Sequence, residues 1–391
     1  MARHVWRINM FDVVIVGGGL AGWRTAENLR RQEFTGSIAL VSDEAPVPYD
    51  RPPLSKQILS GKLTLADISL AKDDAFSAAD VTWITESATS LDVAATTIGL
   101  ASGESLTGSS IVIATGTRAR RLAFSAIDDC YVVRTAADAA SLRQRLTAGG
   151  ASARVVVIGG GFIGAEVATA AHQLGHDVIV LEGQVRPLEG ALGTTVATWL
   201  EPLAASAGVD LRVNQLVSDV RAHADGALDV VTDAGSLIAD IVVVGAGAVV
   251  NTEWLQSSGL DISSGVAVDG YLRAAPGIYA AGDVARFWYH GEQTRIEHWQ
   301  IANDHAAYIA QHLTGRTTNE FSTLAYFWSD QYGAKIQMLG HPHRDDEVEL
   351  ASGSLEEHKW VAHYRRGGDL TGVIALNNPR ELILSRNLFS A

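Results

Sequence analysis

Two sets of glycines with the same spacing are the residues whose chemical use is most evident: Gly17-x-Gly19-x-x-Gly22 and Gly159-x-Gly161-x-x-Gly164. In this spacing the first glycine permits a tight turn, the second lets backbone approach a pyrophosphate, and the third lets a helix pack closely on a strand. A helix starting at such a turn directs N–H groups and partial positive charge at a phosphate. A carboxylate about 20 residues further on, at the tip of the next strand, would accept hydrogen bonds from an adenosine ribose. Asp43 or Glu44 takes that place after the first turn and Glu182 after the second. Glu182 is followed by Gly183 and Gln184 rather than by arginines, so a 2′-phosphate would be repelled and NADH is expected over NADPH.

The flanking residues supply the elements these turns need. An apolar, β-branched run at 12–16 precedes the first turn, a helical pattern continues through Arg31, and a second β-like run lies at 37–42. The same grammar returns with RVVVI at 154–158, a helical stretch to about Leu174, and DVIVL at 177–181. One glycine fingerprint is weak evidence, but two, each inside a βαβ frame, define two nucleotide-binding units and a domain-scale duplication.

Between and after them come a proline-rich loop (Pro46, Pro48, Pro52, Pro53), short strands at 81–84 and 97–100, and a buried strand at 110–114 closing on Thr115 and Gly116. Further strands are expected at 238–244, ending on Gly245 and Gly247, and at 277–281, ending on Gly282 and Asp283. From about Phe327 the pattern changes to short alternating strands at 335–339, 359–364 and 370–374 and a last helix near 380–387. The expected fold is α/β, with two Rossmann-like dinucleotide-binding domains and a small carboxy-terminal α+β domain.

Composition narrows the function. The chain has 391 residues, 47% of them apolar and 19% charged, enough to bury more than one core. A net charge of −14 works against nucleic acid and anionic membranes as partners. No apolar run approaches the ~20 residues of a membrane helix. The single cysteine, Cys130, makes no intrachain disulfide, CxxC pair or zinc site and suits a reducing compartment, so a cytoplasmic location and no metal are expected. Residues 1–9 hold Arg3, His4 and Arg7 without an apolar stretch, so no secretory signal is expected and Met10 is a candidate start.

Several longer motifs are more specific than the glycines. Gly17 to Gly22, Pro48-Tyr49-Asp50-Arg51-Pro52-Pro53-Leu54-Ser55-Lys56, Ala114-Thr115-Gly116, Gly159 to Glu166, Ala280-Ala281-Gly282-Asp283 and Phe327-Trp328-Ser329-Asp330-Gln331-Tyr332 resemble the oxygenase-coupled NADH-dependent ferredoxin reductases, over nearly the whole chain. The resemblance implies a glutathione-reductase-like arrangement. An FAD domain at 10–121 and 248–320 is interrupted by an NAD domain at 122–247 and followed by a carboxy-terminal domain at 321–391.

Carried over by residue, the resemblance places Gly17, Gly19, Leu20, Ala21 and Gly22 at the FAD pyrophosphate, and Asp43 and Glu44 at its ribose. Arg51, Lys56, Ala88, Thr115, Gly116 and Arg134 surround the same cofactor, as do Gly282, Asp283, Glu297, His298, Trp299 and Trp328. Asp283 would accept from the ribityl chain, and Arg134 could pair with the pyrophosphate or be a surface arginine at a helix start. NADH would meet Gly159, Gly161, Phe162, Ile163, Gly164, Glu166, Glu182, Gly245 and Gly247.

Lys56 and Glu166 are the candidate tuning pair, with the ammonium stabilising negative charge that arrives with a hydride. A buried glutamate would need that partner. Trp328 either shields the flavin, offers an aromatic edge for electron exit, or packs a core. His298 is expected to be a structural histidine, because hydride transfer to flavin needs no general base, and His341 and His343 form a turn. The chain departs from the family at Val250-Asn251, where proline often precedes the asparagine and whose loss is expected to loosen the turn. It also ends sooner than usual after Trp328, which would trim a docking surface.

These features together predict an FAD-dependent NADH:ferredoxin oxidoreductase, a monomer or homodimer. It would pass electrons singly to a [2Fe–2S] ferredoxin that serves an oxygenase. An acidic carrier would need a cationic face, for which Arg118, Arg120, Arg121, Arg365 and Arg366 are candidates. A rubredoxin reductase or diaphorase is the enzymatic alternative. A slow-turnover protein of the apoptosis-inducing-factor type is the non-enzymatic one.

Overall fold

The computed structural model describes residues 10–71, 75–124, 127–148, 150, 152–223 and 226–389. The amino-terminal segment with Arg3, His4 and Arg7 lies outside them. The chain divides into two compact units, one of residues 1–50, 68–118 and 249–323 and one of residues 51–67, 119–248 and 324–391.

The first unit is built on a sheet whose strands run in the order Arg273–Ala275, Ile278–Ala280, Ser105–Ile113, Met10–Val16, Ile38–Ser42 and Val81–Thr85. The last five are mutually parallel. All five residues of Ile38–Ser42 are buried, as a parallel strand covered on both faces requires. Met10–Val16 feeds the glycine turn and the helix Leu20–Arg31, whose Ala21, Trp23, Ala26 and Leu29 are buried. The long helix Trp299–Leu313 packs against it.

A five-stranded parallel sheet in the second unit runs in the order Asp210–Arg212, Asp177–Leu181, Arg154–Ile158, Ile241–Val244 and Cys130–Tyr131. The helix Phe162–Gln173 comes directly after its central strand and turn. A five-stranded antiparallel sheet closes the chain, ordered Tyr326–Gln331, Ala334–Gly340, Asp369–Leu376, Lys359–Arg366 and Glu347–Ser354. Its inner face shares one core with the helices Glu189–Leu200 and Pro202–Ser206. Leu192, Val196, Leu200 and Leu203 meet Ile336, Met338, Trp360, Tyr364 and Leu376.

Three expectations need correction. The run at 238–244 is two strands, Gly235–Ala239 in a three-stranded antiparallel sheet and Ile241–Val244 in the parallel one. They break at Asp240, whose carboxylate accepts from the backbone N–H and the guanidinium of Arg154 at 2.8 to 3.1 Å. The proline-rich segment is not only loop, because Pro52–Ser55 forms a 3₁₀ turn and Gln57–Ser60 a helical turn. The strand Glu347–Ser354 has no counterpart among the strands expected from sequence. It is an edge strand with no fully buried residue, and its alternation stops after Val348 and Leu350, where the register shifts before Ser352.

Trp360 is fully buried and meets Trp199 edge-on at 5.4 Å. Trp360→Ala is expected to lower stability by about 3–5 kcal/mol, the usual cost of removing a buried tryptophan, measured by urea unfolding.

Candidate active site

In the first unit the turn works by backbone contact. Gly17 has φ +117°, and a Cβ there would lie 2.2 Å from the Ala114 carbonyl oxygen. A Cβ on Gly22 would lie 1.9 Å from the Gly17 carbonyl oxygen, so strand and helix approach as only glycine allows. Gly19 caps the helix that Leu20 and Ala21 open, with no side chain on its first N–H groups. That leaves an anion site of the kind a pyrophosphate fills. The Trp83 indole lies against Gly18, and its buried Nε1 has no partner among the described residues. A cradle of bare N–H groups with a buried orphan donor beside it fits an adenine dinucleotide.

The strand-tip acids differ: Asp43 is exposed, whereas Glu44 is partly buried and accepts from the Tyr49 hydroxyl. Thr115 and Gly116 are stitched to Asn251. The Thr115 hydroxyl donates to the Asn251 carbonyl at 2.8 Å, the Asn251 amide donates to the Thr115 carbonyl at 2.9 Å, and the Asn251 N–H donates to Gly116 at 3.0 Å. The turn expected to be loose without proline is therefore held by side-chain and backbone bonds.

Asp283 sits in a 3₁₀ turn opened by Gly282 and accepts from the Thr117 hydroxyl at 3.3 Å. His298 caps the helix that Trp299 opens, and the Trp299 indole donates to Asp50 at 2.7 Å. Glu297 is exposed and pairs with Arg295, and Ala88 begins a short strand.

His305 was not singled out by any motif. It is fully buried between Phe287 and Phe321, and its Nδ1 accepts the Gly282 N–H at 3.2 Å. Nδ1 must be unprotonated to accept, so this imidazole is neutral and supports the Asp283 turn.

In the second unit Gly159 has φ +100° and Gly164 would place a Cβ 2.0 Å from the Gly159 carbonyl oxygen. Gly161 caps the helix that begins with Phe162 and the half-exposed Ile163. Gly245 packs against Gly164, and the Gly247 carbonyl accepts from the Arg120 N–H at 2.9 Å. Glu182 stands at the strand tip, accepting from the Gly160 N–H and the Gln184 N–H, both at 2.8 Å. Its charge is thus fixed where a ribose would lie. A cleft lined by Gly160, Pro187, Leu188, Gln331 and Tyr332 lies beside the turn.

Lys56 comes just after the 3₁₀ turn and its ammonium meets the Glu166 carboxylate at 2.9 Å, with side chains 11% and 4% exposed. The Arg51 guanidinium donates to the Arg134 carbonyl at 2.7 Å, next to the helix that Thr135 caps. Trp328 stacks on Tyr326 at 5.9 Å. Burial pushes the Cys130 thiol up to about 11, so it is a poor nucleophile. Among the candidate docking arginines, Arg118 is paired with Glu253, Arg365 donates to Gly368, and Arg366 is paired with the buried Asp346. Among the described residues no cluster of His, Cys, Asp and Glu could hold a metal, and no helix is long and apolar enough to cross a membrane.

Two glycine turns, each at the head of a parallel sheet, with a carboxylate at the next strand tip, define a dinucleotide-dependent oxidoreductase. A family model described as pyridine nucleotide-disulphide oxidoreductase matches residues 11–306, and one described as reductase C-terminal matches residues 326–391. The chain belongs to the pyridine nucleotide-disulphide oxidoreductase family, whose members typically bind FAD and a nicotinamide dinucleotide.

Its similarity to the ferredoxin–NAD(+) reductase component of the anthranilate 1,2-dioxygenase system of Burkholderia cepacia is 38% identity over 84% of this chain and 81% of that protein. Rhodocoxin reductase of Rhodococcus erythropolis is 34% identical over 97% of this chain and 89% of its own length. Putidaredoxin reductase, solved in covalent complex with putidaredoxin, gives a TM-score of 0.90 at 32% identity over 96% of this chain and 92% of that one.

This geometry leads to two expected outcomes. Gly164→Ala is expected to weaken NADH binding by at least about tenfold, because the new methyl meets backbone and forces helix and strand apart; titration of NADH by fluorescence reads it. Burial pushes His305 down to about 3 from 6.5. The unfolded chain therefore binds the extra proton between those values, and stability is full above about pH 6.5 and falls as pH drops, by about 1.4 kcal/mol per unit. Urea unfolding at pH 7.5 and 5.5 is expected to show a loss in the parent that His305→Gln lessens by about that amount.

Proposed function

We propose that the protein is an FAD-dependent NADH:ferredoxin oxidoreductase that delivers electrons to a [2Fe–2S] ferredoxin serving an oxygenase, in the cytoplasm. The observation that carries this is the buried Lys56–Glu166 pair, whose glutamate is on the helix that begins at the second glycine turn. It puts a fixed cation beside a dinucleotide site, in a chain whose relatives are ferredoxin reductases of oxygenase systems. FAD, when bound, would supply the redox chemistry that side chains lack, linking a two-electron hydride donor to a one-electron carrier.

The protein's own residues bind and orient. FAD would be held by residues 10–121 and 248–320, with Gly17, Gly19 and Gly22 at its pyrophosphate and Asp283 at its ribityl chain. NADH would be held by residues 122–247, with Gly159, Gly161 and Gly164 at the pyrophosphate. Glu182 selects it over NADPH, because two backbone N–H groups hold the carboxylate where a 2′-phosphate would stand. Lys56 stabilises the negative charge that arrives on the flavin, a contribution largest where water is excluded. Residues 321–391, with Trp328, would meet the carrier.

The purified protein is expected to be yellow and to bleach on anaerobic addition of NADH. In stopped-flow mixing with a panel of carriers, a [2Fe–2S] ferredoxin should be reduced faster than rubredoxin or dyes. Lys56→Met is expected to slow flavin reduction by NADH at least about tenfold with flavin still bound; an unchanged rate would remove the lysine from the mechanism.

A further inference from the structure

Glu166 is a buried carboxylate with more partners than the lysine. Its Oε1 accepts from the Lys56 ammonium at 2.9 Å and from the Ser329 hydroxyl at 2.6 Å, and its Oε2 accepts from the Ser55 hydroxyl at 2.6 Å. Ser55 and Ser329 are buried at 2% and 0% exposure. A hydroxyl has one proton to donate, so each serine at this distance spends it on Glu166. The carboxylate is thereby held from both oxygens, and the ammonium contacts only one. The other two donors of Lys56 have no partner among the described residues.

The same bonds fasten a strand to a helix. Phe162 packs on Phe327 with ring centres 4.5 Å apart, Glu166 accepts from Ser329, and the Thr169 hydroxyl accepts the Tyr332 N–H at 2.8 Å. Four helical residues advance about 6 Å and two strand residues about 6.6 Å, so the first two contacts fall in step. Alternation then puts Trp328 on the opposite face from Ser329, where it stacks on Tyr326.

We propose that Ser55 and Ser329 are positioning residues that restrict Glu166 to one-oxygen pairing with Lys56 and so keep the remaining ammonium donors for the flavin. This rests on the lysine role given above. Without either hydroxyl, the under-satisfied carboxylate would draw in a second ammonium N–H and pull the charge away from the ring.

In the FAD-loaded protein, Ser329→Ala and Ser55→Ala are each expected to make the flavin midpoint potential more negative and to slow single-turnover reduction by NADH about tenfold, the scale of one hydrogen bond to a charged group. NADH affinity should stay within about twofold, and Ser329→Thr should restore both readouts. In a Glu166→Gln background Ser329→Ala should add nothing further. In the flavin-free protein, urea unfolding of the Ser329/Glu166 double-mutant cycle should be non-additive. The proposal is overturned if both alanine variants keep the parent's potential and rate while Lys56→Met changes them, or if the cycle is additive. If Lys56→Met itself leaves potential and rate unchanged, the lysine role fails, and this proposal fails with it.

Discussion

Each of the two glycine turns depends on a crossing of two backbones too close for any Cβ. The helix after the first turn runs over the Gly17 carbonyl and the helix after the second over the Gly159 carbonyl, and in each case a methyl at the crossing would stand about two ångströms from an oxygen. That proximity lets the helix start flush with the end of the central strand, so its unpaired N–H groups and partial charge reach a phosphate. The readiness of both turns to take an anion is thus a consequence of backbone geometry, and the acids Glu44 and Glu182 stand at the neighbouring strand tips.

Buried polar groups then decide how the rest is arranged. His305 carries no charge, is enclosed by Phe287 and Phe321, and uses its one acceptor nitrogen on the turn before Asp283. Glu166 adopts the opposite strategy, buried but surrounded by an ammonium and two hydroxyls. In low dielectric an unmatched polar atom costs more than the bond itself is worth. Each of these sites therefore fixes its neighbours as firmly as its neighbours fix it.

Much of the fold was legible because it is local. The runs before the two turns are continuous and apolar, as strands buried on both faces must be, and both dinucleotide helices begin directly at the glycine turns. The edge strand Glu347–Ser354 was not legible, since its alternation is confined to Val348 and Leu350 before the register shifts, and no residue of it is fully buried. The break at Asp240 was hidden within an apolar run, because it depends on an arginine that is its neighbour only across the sheet.

The amino-acid order by itself determined the two glycine turns, the acids at the strand tips and the chain-wide pattern of motifs, because turn geometry and helix polarity depend on a handful of adjacent residues. Only the tertiary structure decided that Ser55 and Ser329, 111 and 163 residues from Glu166, donate to its carboxylate, and that His305 holds Gly282. Contacts of that kind arise when separate elements pack and must satisfy one another's polar atoms out of water, a condition that no spacing along the chain encodes.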